Sequence, residues 1–165
     1  MKLTAFTDYS LRVLIYLAAQ PQRRATIAEI ADSFAVSEHH LTKVVHFLGK
    51  QGWLANVRGK GGGLSLASTP DAINVGDVVR HTEANAIVEC FEEGGGECRI
   101  AGQCRLRGVL DEAVAAFYAV LHRYTLADLV RNREALSAIF FVDSVPDLRR
   151  GKGARTAVRS TELAQ

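Results

Sequence analysis

The sequence predicts a mainly α fold with one small β-hairpin and a long helix after it. Three observations carry this. Two short apolar-periodic segments with good start signals lie close together between residues 26 and 48. A basic, glycine-rich turn separates two β-type runs between residues 53 and 67. A wide apolar stripe then runs through residues 105–124. In that order they fit a winged helix-turn-helix unit followed by a dimerisation helix better than the plain alternative, an ordinary small α+β domain.

Each element has a local reason. Residues 4–20 are expected to be helical, with Leu11, Leu14, Ile15 and Leu17 on one face, Phe6 and Val13 at its flanks, and Pro21 as the stop. Thr26-Ile27-Ala28-Glu29 is a capping-box pattern and starts a helix over about 26–33. Phe34-Ala35-Val36 is a tight connection. Ser37 suits the N-cap of a helix reaching about Leu48, with Leu41, Val44, Val45 and Leu48 inward and Gly49 or Gly52 as the stop. Trp53-Leu54-Ala55-Asn56-Val57 and Leu64-Ser65-Leu66-Ala67 flank the turn Arg58-Gly59-Lys60-Gly61-Gly62-Gly63. Residues 73–82 read as a short helix through Ile73, Val75, Val78 and Val79.

The long helix carries Leu106, Val109, Leu110, Ala113, Val114, Phe117, Val120, Leu121 and Tyr124. So wide a stripe fits a dimer seam; a core helix folded back on its own domain is the alternative. Thr125-Leu126-Ala127-Asp128-Leu129 restarts a short helix. The expected division is a winged-helix domain over 1–82, a cysteine loop over 83–104, a dimerisation helix and cap over 105–131, and an extension over 132–165 that is flexible from about 147.

Composition narrows the function classes. Of 165 residues, 48% are apolar, enough for a real core, and the net charge is +2. Residues 1–75 carry +3, residues 76–150 carry −3, and residues 151–165 carry +2. A mildly basic first part suits phosphate contacts. No apolar run is long enough to span a membrane, and no secretory leader stands at the start, so a cytoplasmic setting with reduced thiols is expected. Phosphate-binding and paired-carboxylate motifs do not occur. His81 and His122 flank the cysteines, but no Cys–His pair has catalytic spacing, which argues against an enzyme.

A helix-turn-helix reads base edges with the start of its second helix. Here those residues are Ser37, Glu38, His39, His40, Thr42 and Lys43. His and Thr can hydrogen-bond base edges, and Lys43 can reach guanine or phosphate. An ordinary solvated helix face would look the same, and for Glu38 that is the better reading. In the wing, Arg58 and Lys60 flank glycines that let backbone approach DNA, with no acidic residue between them.

All three cysteines lie in one stretch, Cys90-x7-Cys98-x5-Cys104, rich in glycine and glutamate. An odd number of thiols makes a poor disulfide framework. Structural zinc prefers C-x2-C pairs, which are missing, whereas iron–sulfur clusters accept wider loops. Three thiolates leave one coordination position for a weaker ligand. Plain structural cysteines and a thiol- or zinc-dependent regulator remain open alternatives.

The chain resembles the Rrf family of iron–sulfur winged-helix repressors, and within it the nitric-oxide-sensing group. The likeness rests on Leu3-Thr4-x-Phe6-Thr7-Asp8-Tyr9-x-Leu11-Arg12, on Val36-Ser37-x-x-His40-Leu41-x-Lys43-Val44-Val45, and on Val57-Arg58-Gly59-x-x-Gly62-Gly63. It continues through Cys98-x5-Cys104-x-Leu106 and Tyr124-Thr125-Leu126-Ala127-Asp128-Leu129. The gap between Cys90 and Cys98 is longer than the family's usual loop. The resemblance implies a homodimer on a palindromic operator in double-stranded DNA, released when nitric oxide reacts with an iron–sulfur cluster. It implies Cys90, Cys98 and Cys104 as ligands, with Asp8 from the partner chain and 4Fe–4S favoured over 2Fe–2S. Arg12, one turn after Asp8, could orient it. Without the family, Asp8 reads as a helix-start charge paired with Arg12. A family member that senses redox state or cluster supply is the nearest alternative.

Overall fold

The computed structural model describes residues 2–57, 59, 61–83, 91, 98–100 and 103–141. Its elements run α1 (Ala5–Ala19), α2 (Ile27–Phe34), α3 (Glu38–Lys50), β1 (Leu54–Val57), β2 (Gly63–Leu66), α4 (Val75–Thr82), α5 (Arg105–Leu121), α6 (Leu126–Leu129) and α7 (Arg133–Phe141). The mainly helical expectation with a small wing holds.

Helix α1 is the centre of the molecule. Thr4 caps it by accepting from the Thr7 N–H, and helices α3, α4, α6 and α7 and strand β2 all pack on it. That crowding corrects the expected inward face. Val13, placed at the flank, is fully buried beside Leu14, and Tyr16 joins the core, whereas Leu11 and Ile15 are only partly covered. A helix packed on several sides buries a wider arc than one stripe. Leu14→Ala should therefore lower unfolding stability by about 3 kcal/mol, read as a shifted denaturant midpoint; a loss under about 1 kcal/mol would mean the site collapses freely.

The capping box of α2 is present, with Thr26 and Glu29 satisfying each other's backbone donors. The Thr26 backbone N–H holds the Glu29 carboxyl below the usual glutamate range, helped by bonds from Arg23 and the Thr26 hydroxyl. Ala35 turns the chain at φ +51°, and its N–H and that of Val36 close the last turn of α2. All four residues expected to face inward from α3 are buried. Gly52, at φ +77°, rather than Gly49, lies where the chain turns out of α3. Strands β1 and β2 pair antiparallel, with Leu54 opposite Leu66 and Val57 opposite Gly63.

Helix α4 starts two residues later than expected, at an Asn74 cap whose side chain accepts from Gly76 and Asp77, and a 3-10 turn precedes it. Helix α7 was not foreseen. Its Phe140 and Phe141 rings lie 5.2 and 5.0 Å from Tyr16, and Phe140 lies 5.3 Å from Phe34. The polar stretch Arg131-Asn132-Arg133-Glu134 before them masked the pattern. The flexible tail expected from about 147 lies outside the described residues.

Helix α5 is the exception to good packing. None of its residues is buried. Leu106 and Val109 are 61% and 62% exposed, and Val120 and Tyr124 are both 45% exposed. The apolar stripe is divided: Leu106, Val109 and Val120 stand open, while Leu110, Val114, Phe117 and Leu121 are half-buried where α5 packs on α4.

Candidate functional site

The described residues hold two candidate regions. The first is the outer face of α3. Burying Leu41, Val44, Val45 and Leu48 leaves Ser37, Glu38, His39, His40, Thr42 and Lys43 exposed, as the periodicity required. Ser37 occupies the N-cap position but makes no side-chain cap bond, which differs from its expected role. The His40 ring is not loose: it stacks on Tyr9 of α1, 23° from parallel with centroids 6.4 Å apart. Thr42 donates its hydroxyl to the Glu38 carbonyl at 2.8 Å and keeps its acceptor lone pairs. His46 also lies exposed, four residues beyond Thr42. Sequence reasoning passed over it, although the helical period places it on the same face.

Arg58 and Lys60 of the wing lie outside the described residues. The turn that carries them is closed by a bond from the Gly62 N–H to the Gly59 carbonyl at 2.8 Å. Its base is joined to the α1–α2 connection, because Ala25 and Leu64 exchange both backbone bonds, at 3.1 and 2.7 Å. This places the wing beside the helix-turn-helix.

The second region concerns the cysteines. Cys98 is exposed, Cys104 is half-buried, and both are free thiols. Cys90 lies outside the described residues. Cys104 sits at the N-cap of α5 with no side-chain bond of its own. An anionic cluster held there would meet the positive end of a helix dipole. Asp8, in the first turn of α1, pairs through Oδ2 with Arg12 at 2.8 Å, both side chains about half exposed. The Arg12 guanidinium lies over the rings of Tyr9 and Phe34, at 5.9 and 5.7 Å. Among the described residues, no three His, Cys, Asp or Glu side chains gather as a metal-binding group. Asp8, Cys98 and Cys104 are thus not assembled within one chain. Two accessible thiols and an accessible carboxylate nonetheless suit an iron–sulfur donor set completed elsewhere.

Two further contacts were invisible in the sequence. The Thr4 N–H donates to Glu83 at 2.6 Å, tying the start of α1 to the residue just after α4. The end of α5 is fastened to the start of α4. Asn74 donates its side-chain amide to the His122 carbonyl, the Val75 N–H reaches the Tyr124 carbonyl, and the Leu126 N–H reaches that of Ile73. The His122 ring fills the space above Gly76, where a Cβ would come within 1.7 Å of Nδ1. Gly76→Ala should destabilise the protein by about 2 kcal/mol through overpacking, despite alanine's helix advantage of about 1 kcal/mol. A thermal melt checks this; a higher midpoint would show that the ring swings away without cost.

A helix-turn-helix with a bare polar face and a wing alongside is the architecture of a DNA-binding module. No helix among the described residues is long and apolar enough to cross a membrane. The chain belongs to the Rrf2 family, described as iron-dependent transcriptional regulators, which matches residues 3–132. It is 50% identical over 136 residues to the HTH-type transcriptional regulator NsrR of Bacillus subtilis, covering 81% of this chain and 93% of that one. It is 48% identical over 141 residues to the NsrR of Shouchella clausii, covering 84% and 95%. Among solved structures, CymR, the global cysteine regulator of B. subtilis, aligns with a TM-score of 0.61 at 30% identity over 80% of this chain and 98% of that one. The IscR of T. potens aligns at 0.65 with 25% identity, covering 82% and 90%.

Proposed function

We propose that this chain is a homodimeric repressor that responds to nitric oxide through an iron–sulfur cluster, 4Fe–4S rather than 2Fe–2S. Its ligands are Cys90, Cys98 and Cys104 with Asp8 of the partner chain. The reading is carried by two free, accessible thiols between α4 and α5 in a chain so similar to regulators named NsrR. The proposed division stays as the sequence suggested: a DNA-binding domain over 1–82, a cluster loop over 83–104, a dimerisation helix and cap over 105–131, and an extension over 132–165. The setting is cytoplasmic.

When bound, the cluster supplies iron that reacts with nitric oxide. The chain's own residues do the rest. Asp8 would bring a hard oxygen donor among soft sulfurs and would be the weakest-held ligand of the set. Arg12, 2.8 Å away on the same helix, would orient that carboxylate. Asp8 belongs to α1, on which α3 packs, so freeing it alters the support of the recognition helix. Ser37, His39, His40, Thr42 and Lys43 read base edges of a palindromic operator, while the glycines flanked by Arg58 and Lys60 let the wing approach the DNA closely and Arg58 enters the minor groove.

The test is an absorbance spectrum of anaerobically purified protein, titrated with nitric oxide while operator binding is followed in the same samples. Bleaching and DNA release should run together. A coloured protein that ignores nitric oxide but follows redox poise would make it a redox or cluster-supply sensor; a colourless one that still binds DNA would remove the cluster. Asp8→Ala should keep the visible band yet lose the match between nitric oxide dose and DNA release. Unaltered dose dependence in that variant would remove Asp8 from the mechanism.

A further inference from the structure

The tip of the wing should be loose. Gly59, Gly61 and Gly63 stand at φ +98°, +76° and +143°, and glycine loses more backbone freedom on being fixed than any other residue. Strands β1 and β2 pair over only four residues each. Yet the turn is held from outside the hairpin. Arg24, in the connection between α1 and α2, donates from Nη1 to the Gly61 carbonyl at 3.0 Å. The neighbouring Ala25 makes the bridge to Leu64, and the fit is close enough that a Cβ on Gly63 would lie 3.0 Å from the Ala25 carbonyl oxygen and 3.2 Å from the Arg24 Cβ.

We propose that Arg24 is a positioning residue for DNA binding, which sets the wing turn before DNA arrives. A free glycine turn would have to be ordered on binding, at an entropic cost to affinity. Arg24 orders it in the free protein, so the turn through Gly59, Gly61 and Gly62 is set before DNA arrives. This rests on the reading of the wing as a DNA contact. A direct phosphate contact by Arg24 is the competing role, since its bond to the turn carbonyl leaves the other guanidinium donors open. Arg23 beside it is engaged with Glu29 and the Phe141 ring.

The test uses the anaerobically purified full chain and a duplex that the wild-type chain selects from a random pool. Arg24→Ala should weaken binding about fivefold to tenfold. The Arg58→Ala, Lys60→Ala double variant should weaken it more, and adding Arg24→Ala to that background should cost nothing further. Amide hydrogen exchange at Gly61 and Gly62 in the free Arg24→Ala protein should speed up while core amides stay protected. Full additivity of the Arg24 and wing losses, or unchanged exchange at the turn, would overturn the positioning role and leave the wing reading standing. Wild-type binding by the wing double variant would overturn the wing reading, and this proposal with it.

Discussion

Cys98→Ala is expected to give a folded, colourless protein whose specific DNA affinity is lower by on the order of a thousandfold, the usual gap between specific and non-specific binding. The argument turns on where Cys98 lies. It is exposed and takes no part in the core, so its replacement should change stability by no more than about 0.5 kcal/mol. A loss of operator binding cannot then be blamed on unfolding. On the proposed reading it comes from the missing thiolate, which leaves the cluster one sulfur ligand short. Thermal melting and the visible spectrum should be read beside the binding curve. A variant that melts like the parent, has no visible band and still binds its operator would separate the cysteines from DNA control.

Val109→Asp should have an effect of similar size by another route. Val109 is 62% exposed in the single chain and lies in line with Leu106 and Val120 along α5. In an isolated protomer an aspartate there meets water and costs little. At a dimer seam it buries an unpaired carboxylate, which costs several kcal/mol. Sedimentation velocity should therefore show a monomer of unchanged thermal stability. Operator affinity should fall to that of one half-site, because the second half-site no longer binds within the same complex. A dimer that persists, or a monomer with a strongly lowered melting temperature, would mean that α5 belongs to its own domain.

The two outcomes also mark what could be read in the residues beforehand. Helix α3 was legible because its rule is local: four apolar residues at helical spacing force the remaining polar ones outward. The capping box of α2 and the glycine turn of the wing are equally local. The misplaced face of α1 was not local at all. Val13 and Tyr16 are buried because elements far along the chain, including α4 and α7, close over them, and no spacing within α1 announces that. Helix α7 escaped for the same reason, since Phe140 and Phe141 matter only once Tyr16 and Phe34 are seen beneath them. The thiols stood out by their grouping. The ties of Glu83 to Thr4 and of His122 over Gly76 link positions too distant in sequence for any motif.

The fastening of α5 has a mechanical consequence. The helix has 17 residues, so it is a rod of about 25 Å at the usual rise per residue. Its hydrogen-bonded joint with the DNA-binding part lies at the His122 end, whereas Cys104 stands at the other tip. Such a rod works as a lever with a reducing ratio. A shift of about 1 Å at the Cys104 tip becomes a rotation of only about 2° at the joint. The transmission is proportional: whatever moves the Cys104 tip reaches the DNA-binding part as a small rotation about the His122 joint.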